Sequence, residues 1–365
     1  MEVLAVVDGG SIRGFRLGVA ALIDDLSADP EPKDWAGSPA DLARAARLKQ
    51  TLAVEQARVG CLEEAAHTVE GVVRIYRRLA LHRSARYRPE LAEALSAWGL
   101  WSSRLGRREH ARAALSDAVE LYRDLLDRGA PGRVMTRLRL RIGLAVALSN
   151  LGLAHSDLGD HPSAAAAGEE SVHVLRTLRR RNWVYRAFAR RDPVGFNHCL
   201  ATSVNNLGVV AAEGGDPVRA HELAEETVRL YRELATIAPV RFESELARAV
   251  HNLGLAAAEN GRPDDAASAT REAVALHRCL FPSDPTDHQQ HLGRALCAFA
   301  QVRAARGIEL AEAVDAAEEA VTIFEELAER RPEAFTGDLH AAYRAASQVR
   351  EVRDGPAEPP GRTRR

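Results

Sequence analysis

The sequence predicts an all-α chain, a solenoid of about six helix-turn-helix repeats followed by a C-terminal capping helix. Three observations predict it. The first is composition: of 365 residues, 46% are apolar but only 5% aromatic, and Ala and Leu dominate, which suits closely packed helices better than a β-sandwich. The second is an internal repeat. SNLG (149–152), NNLG (205–208) and HNLG (251–254) are each followed seven residues later by a further glycine, Gly159, Gly215 and Gly261. The same frame extends to Gly60, Gly106 and Gly307, so six glycines stand 46, 53, 56, 46 and 46 residues apart. The third is punctuation, because Gly261 suits the left-handed residue ending one helix and Pro263 the first turn of the next.

Each unit reads as helix A, tight turn, helix B; in the fifth, A spans roughly 241–259 and B roughly 263–280. Five residues after each turn glycine stands an alanine, Ala65, Ala111, Ala164, Ala220 and Ala266, with Ala313 one residue late. Sixteen residues on stands a bulky group, Tyr76, Tyr122, Leu175, Tyr231 and His277, with Phe324 again one late. Gly208 and Ala220 allow two helix backbones to approach closely. One such hairpin cannot bury its own apolar surface, so neighbours must stack.

This pattern resembles the tetratricopeptide repeat: a large apolar residue then Gly or Ala in helix A, Gly at the turn, Ala early in helix B. The resemblance covers about 41–350, and its spacing of 46 rather than 34 is more similar to kinesin-light-chain-like and actinobacterial repeats. It implies a right-handed superhelix whose concave wall is lined by A helices. The domain reading is an N-terminal segment and linker over 1–40, the solenoid over 41–353, and a disordered Pro- and Arg-rich tail over 354–365. Asp338 to Val352 reads as the closing A-type helix.

The start is different. Asp8-Gly9-Gly10-Ser11-Ile12-Arg13-Gly14 resembles the glycine-rich oxyanion loop of patatin-like phospholipases. The GxSxG nucleophile elbow and the partner aspartate of that family are missing, and about thirty residues cannot build the sheet they need. A lipase relic, a miscalled start and a degenerate half-repeat remain open, since Gly14 precedes Gly60 by 46 residues.

The chain is read as no enzyme, with no cofactor. It has no P-loop, no complete GxGxxG and no HExxH. Cys61, Cys199, Cys279 and Cys297 form no CxxC pair and read as free thiols of a reducing cytoplasm. His288 and His291 in DHQQH fall in a linker and match no zinc spacing, so no metal site is expected. A formal net charge of −2 and the lack of an 18-residue apolar run disfavour nucleic acid and membrane insertion. The acidic pairs Glu169-Glu170, Glu225-Glu226 and Glu318-Glu319 read as solvated helix faces.

Function therefore falls to surfaces. In helix A of the fourth unit, Val209 lies about 200° round from Leu207 and shares its side with Asn205 and Ala212. Equivalent triplets are Ser96/Leu100/Ser103, Ser149/Leu153/Ser156 and His251/Leu255/Ala258. Such a face, apolar with short polar edges, suits a protein or peptide partner. Asn150, Asn206 and Asn252 hold one position in three successive A helices, with Asn205 beside the second. In the similar kinesin-light-chain-like repeats such asparagines reach a bound peptide; the competing reading is that each bonds a neighbouring helix. The candidate groove is thus Asn150, Leu153, Asn205, Asn206, Val209, His251, Asn252 and Leu255. Two linkers exceed the basic spacing, by seven and ten residues, and bring Arg133, Arg137, Arg139 and Arg141, then RTLRRRNWVYRAFARR (176–191). Arg179, Arg180, Arg181 and Arg186 form a candidate basic rim; a solvated face with Trp183, Tyr185 and Phe188 in the core is the alternative. The reading is a cytoplasmic, non-catalytic binding scaffold, with the sensor portion of a larger signalling ATPase or a vestigial lipase fusion as alternatives.

Overall fold

The computed structural model describes residues 38–58, 61–82, 84–128, 134–181, 193–280 and 285–355. Among these the chain forms thirteen α-helices and no strand. They are α1 (Pro39–Arg58), α2 (Leu62–His82), α3 (Ser84–Arg104), α4 (Arg108–Asp127), α5 (Val134–Asp157), α6 (His161–Arg181), α7 (Pro193–Glu213), α8 (Pro217–Ile237), α9 (Pro239–Glu259), α10 (Pro263–Leu280), α11 (Pro285–Arg306), α12 (Leu310–Arg330) and α13 (Pro332–Asp354). Odd numbers are A helices, even numbers B helices, and α13 is the cap. The chain divides into two compact units, Met1–Asp160 and His161–Arg365. The first holds α1–α5 and the second α6–α13. Within each, a helix packs on its successor, and the A-helix pairs α3–α5, α9–α11 and α11–α13 also touch. The segment around Asp8–Gly14, Trp183 to Phe188 and the tail from 356 lie outside the described residues.

The repeat turn is built the same way each time. Gly106, Gly159, Gly215, Gly261 and Gly307 all have φ between 64° and 78°, where a Cβ would be strained. The N–H after each glycine donates to the carbonyl five residues back, as in Arg107 to Ser102 at 2.9 Å and Arg262 to Ala257 at 2.8 Å. This closes the helix end with the left-handed cap that glycine favours. The repeat alanine then donates its N–H to the first residue of the turn into helix B, Ala111 to Arg107, Ala220 to Asp216 and Ala266 to Arg262. In the sixth unit an extra residue, Ile308, moves both partners on by one, to Ala313 and Glu309.

The repeat positions fill the core. The alanines are at most 2% exposed, and Tyr76, Tyr122, Leu175, Tyr231, His277 and Phe324 at most 5%. Burying a side chain of the larger kind contributes roughly 1.5–3 kcal/mol. Next to four of these six bulky groups stands an arginine that reaches the following B helix. Arg77 meets Asp117 at 3.3 Å, Arg232 meets Glu272 at 2.7 Å, and Arg176 and Arg278 meet Glu226 and Glu319. Glu226 and Glu319 are thus partners between repeats and not only solvated. Apart from the part-buried Arg176–Glu226, these pairs are exposed and worth about 0–1 kcal/mol each.

Two expectations about linkers are corrected. Arg137, Arg139 and Arg141 lie on α5, which runs 24 residues because Leu138 and Leu140, each 3% exposed, anchor its first turns in the core. DHQQH lies in the opening turns of α11, which starts at Pro285, a residue preset for a first helical turn.

Candidate peptide-binding face

The outward stripe of an A helix is set by helical spacing at 13, 10, 6 and 3 residues before the turn glycine. On α7 these positions are Thr202, Asn205, Val209 and Ala212, all half-buried. On α9 they are Arg248, His251, Leu255 and Ala258; Arg248, Leu255 and Ala258 are exposed, Leu255 by 39%. On α11 they are Arg294, Cys297, Gln301 and Ala304, with Cys297 and Ala304 buried. In the first unit α3 carries Ser96, Leu100 and Ser103, and α5 carries Ser149, Leu153 and Ser156. There the face is more fully covered: Ser149 and Ser156 are 4% and 7% exposed, and Ser103 Oγ donates to Asp157 across the two helices at 3.2 Å.

The candidate asparagines divide. Asn252 Nδ2 donates to Asn205 Oδ1 at 3.1 Å, tying α9 to α7. This bond is of the stacking kind, and its partner is Asn205 and not Asn206, its counterpart in the repeat. Asn206 is half-buried and engaged. Asn150 and Leu153 are half-buried on α5, in the first unit. One bond does not exhaust an amide: Asn205 keeps its N–H donors and Asn252 its carbonyl, enough to match a peptide group.

Electrostatics set the rest. Burial pushes the His251 imidazole down to about 4, with Arg294, His291 and Arg248 acting the same way, so the ring is neutral at pH 7. Its Nδ1 has no hydrogen-bond partner. Arg294 is spent on Asp338, with bonds of 2.9 and 2.8 Å. Arg248 is exposed, and no carboxylate of the described residues is paired with it. Thr202 and Tyr231 share a hydroxyl bond of 3.1 Å beneath the stripe. The face can therefore offer a cation at Arg248, apolar contact at Leu255 and Val209, and amide groups between them. Sequence reasoning passed over Arg248, although Thr202, Arg248 and Arg294 occupy one repeat position that could have disclosed it.

On the basic rim, Arg179 and Arg180 are exposed at the end of α6, Arg181 is its last residue, and Arg186 lies outside the described residues. Among the described residues no three His, Cys, Asp or Glu side chains converge as metal ligands. No helix among them is long and apolar enough to cross a membrane.

The tetratricopeptide repeat family matches residues 144–178 and 200–235, the third and fourth hairpins, so these hairpins are tetratricopeptide repeats. No curated protein matches the chain by sequence. Among solved structures, a Rap protein complexed with Competence and Sporulation Factor is similar at 13% identity and a TM-score of 0.50, over 94% of this chain and 96% of that one. A signal transduction ATPase with numerous domains and a tetratricopeptide repeat sensor, from Pyrococcus horikoshii, is similar at 11% identity and 0.53, over 86% of this chain and 42% of that one. BtubC from P. vanneervenii is similar at 17% identity and 0.48, over 83% and 96%. At such identities the likeness is one of fold.

Proposed function

We propose that the chain is a non-catalytic, cytoplasmic scaffold that holds a protein or peptide partner against the outward faces of its A helices. The observation that carries this reading is the α9 stripe, where Arg248, Leu255 and Ala258 stay exposed at helical spacing while the flanking positions on α7 are half-buried. Exposed apolar area beside an unspent cation and amide groups is what an amphipathic helix or extended segment can use. A similar fold accommodates a partner in the Rap protein complexed with Competence and Sporulation Factor.

A photo-crosslinking residue placed at Leu255 tests the reading against one at Arg229, an exposed site on the B helix α8. Adducts with one protein at position 255, lost when Arg248 and Val209 are changed to Ala, are expected. Equal labelling from both positions, or adducts insensitive to those changes, would remove the A-helix face from the account. The likeness of this chain to 42% of a signalling ATPase favours a second reading, a sensor for a separate ATPase. That reading expects a co-purifying ATPase whose turnover changes when this chain is added.

A further inference from the structure

The sixth turn departs from the four described before it. At Gly106, Gly159, Gly215 and Gly261 a single residue separates the glycine from helix B, whereas at Gly307 there are two, Ile308 and Glu309. Glu309 has φ of 48°, the one non-glycine with positive φ among the described residues, a conformation disfavoured for a side chain with a Cβ. Its carboxylate accounts for its staying there. It accepts from Arg271 and, at 3.0 Å, from Arg303 Nε. Arg303 is wholly buried, stacked 3.4 Å over the Phe299 ring, and donates to Thr270 Oγ1 at 3.0 Å and to the Ala267 carbonyl at 3.1 Å. Residues of α10, the end of α11 and the sixth turn thus lock together in the second unit.

Beside this lock opens a cleft of about 510 Å³ whose wall carries Arg271, Arg303, Arg306, Glu309, Ser268 and Ile308, within the size range of small-molecule sites. Glu272 also reaches the wall, but its carboxylate is bound by Arg232 at 2.7 and 2.8 Å. That leaves Glu309 as the carboxylate shared by Arg271 and Arg303. Arg306 is held by Asp264 at 2.7 Å, and that aspartate is 86% exposed, so the pair is easily exchanged for another anion. Glu312 acts on Arg303 from farther away. The first turn of α12 also has no side-chain cap from Glu309, and uncapped helix amides favour an anion in their vicinity.

We propose that this cleft binds a small phosphomonoester, with the phosphate oxygens taken by Arg271, Arg306 and the Ser268 hydroxyl. A phosphate offers three acceptor oxygens, which suits two guanidinium groups and a hydroxyl better than the two oxygens of a carboxylate do. Ile308 and the adjoining alanines give the ester's organic part an apolar wall. The inference is independent of the A-helix face, because the residues used belong to the sixth turn and its neighbours.

Calorimetric titration of the full chain at low ionic strength, with phenyl phosphate and with inorganic phosphate as probes, tests it. Saturable binding of phenyl phosphate, tighter than that of inorganic phosphate, is expected. Arg271→Gln and Arg306→Gln should each weaken it about tenfold, the loss of one charge-assisted contact. Both side chains are partly exposed, 54% and 30%, so the helical melting curve should hold. Arg229→Gln, which removes an equal charge from α8 at a residue that does not line the cleft, should leave affinity unchanged. Absence of saturation, equal affinity for the two probes, or a loss in Arg229→Gln as large as in Arg271→Gln would overturn the proposal.

Discussion

His251 shows how one residue serves the fold and constrains the surface at once. It stands on the outward stripe of α9, yet packing against α11 leaves its ring poorly hydrated, with Arg294, His291 and Arg248 all opposing a further positive charge. The folded value of about 4 lies below the ordinary 6.5, so between these pH values the unfolded chain takes up a proton that the folded chain refuses. Stability is therefore full above about pH 6.5 and falls as the pH drops towards 4, by roughly 3 kcal/mol at 1.4 kcal/mol per pKa unit. Burial also lowers His198, which contributes in the same direction, so the comparison must be with a variant. His251→Gln should flatten the loss between pH 7 and 4.5 in urea unfolding. Parallel curves for the variant and the parent would show that the ring is solvated when folded.

At the scale of elements, the contact between helices A and B rests on glycines, and these are not equivalent. A Cβ on Gly254 of α9 would stand 2.8 Å from Thr270 Cγ2 and 3.3 Å from the Thr270 backbone nitrogen of α10. The pair must part, so Gly254→Ala should cost about 1–3 kcal/mol. A Cβ on Gly208 of α7 would meet Leu223 Cβ at 3.4 Å and the Ala220 carbonyl at 3.8 Å, ordinary contact distances. There the gain in helix propensity should dominate, and Gly208→Ala should stabilise by about 0.5–1 kcal/mol. Denaturant midpoints moving in the same direction for both would refute the distinction. The sequence places both glycines at one repeat position, and their difference depends on Thr270 facing one and Leu223 the other. The turns, the helix ends and the buried ring positions were legible because each is a local rule repeated at a fixed spacing. The Asn252–Asn205 bond, the fully buried Arg303 and the helical run through Arg137 to Arg141 were not, because partner choice between helices is a matter of tertiary packing. DHQQH was read as a linker although Pro285, three residues before His288, marks a helix start.

Across the whole molecule, repeat architecture decides how far a perturbation travels. Within each unit a helix touches those one or two steps along the chain, so stability is a sum of local repeat and neighbour contributions rather than of one shared core. Gly254→Ala strikes the α9–α10 contact. Its effect should reach α8 and α11, which pack on those helices, and should not reach α3 and α4, which belong to the other compact unit. Hydrogen exchange followed by mass spectrometry reads each helix separately. In the variant, amides of α8–α11 should lose protection by about a decade for every 1.4 kcal/mol of local destabilisation. The amides of α3 and α4 should exchange as in the parent. If every helix instead lost protection by one common factor, the chain would unfold as a single cooperative body. The additive account would then fail at this scale, even with every repeat turn built as described.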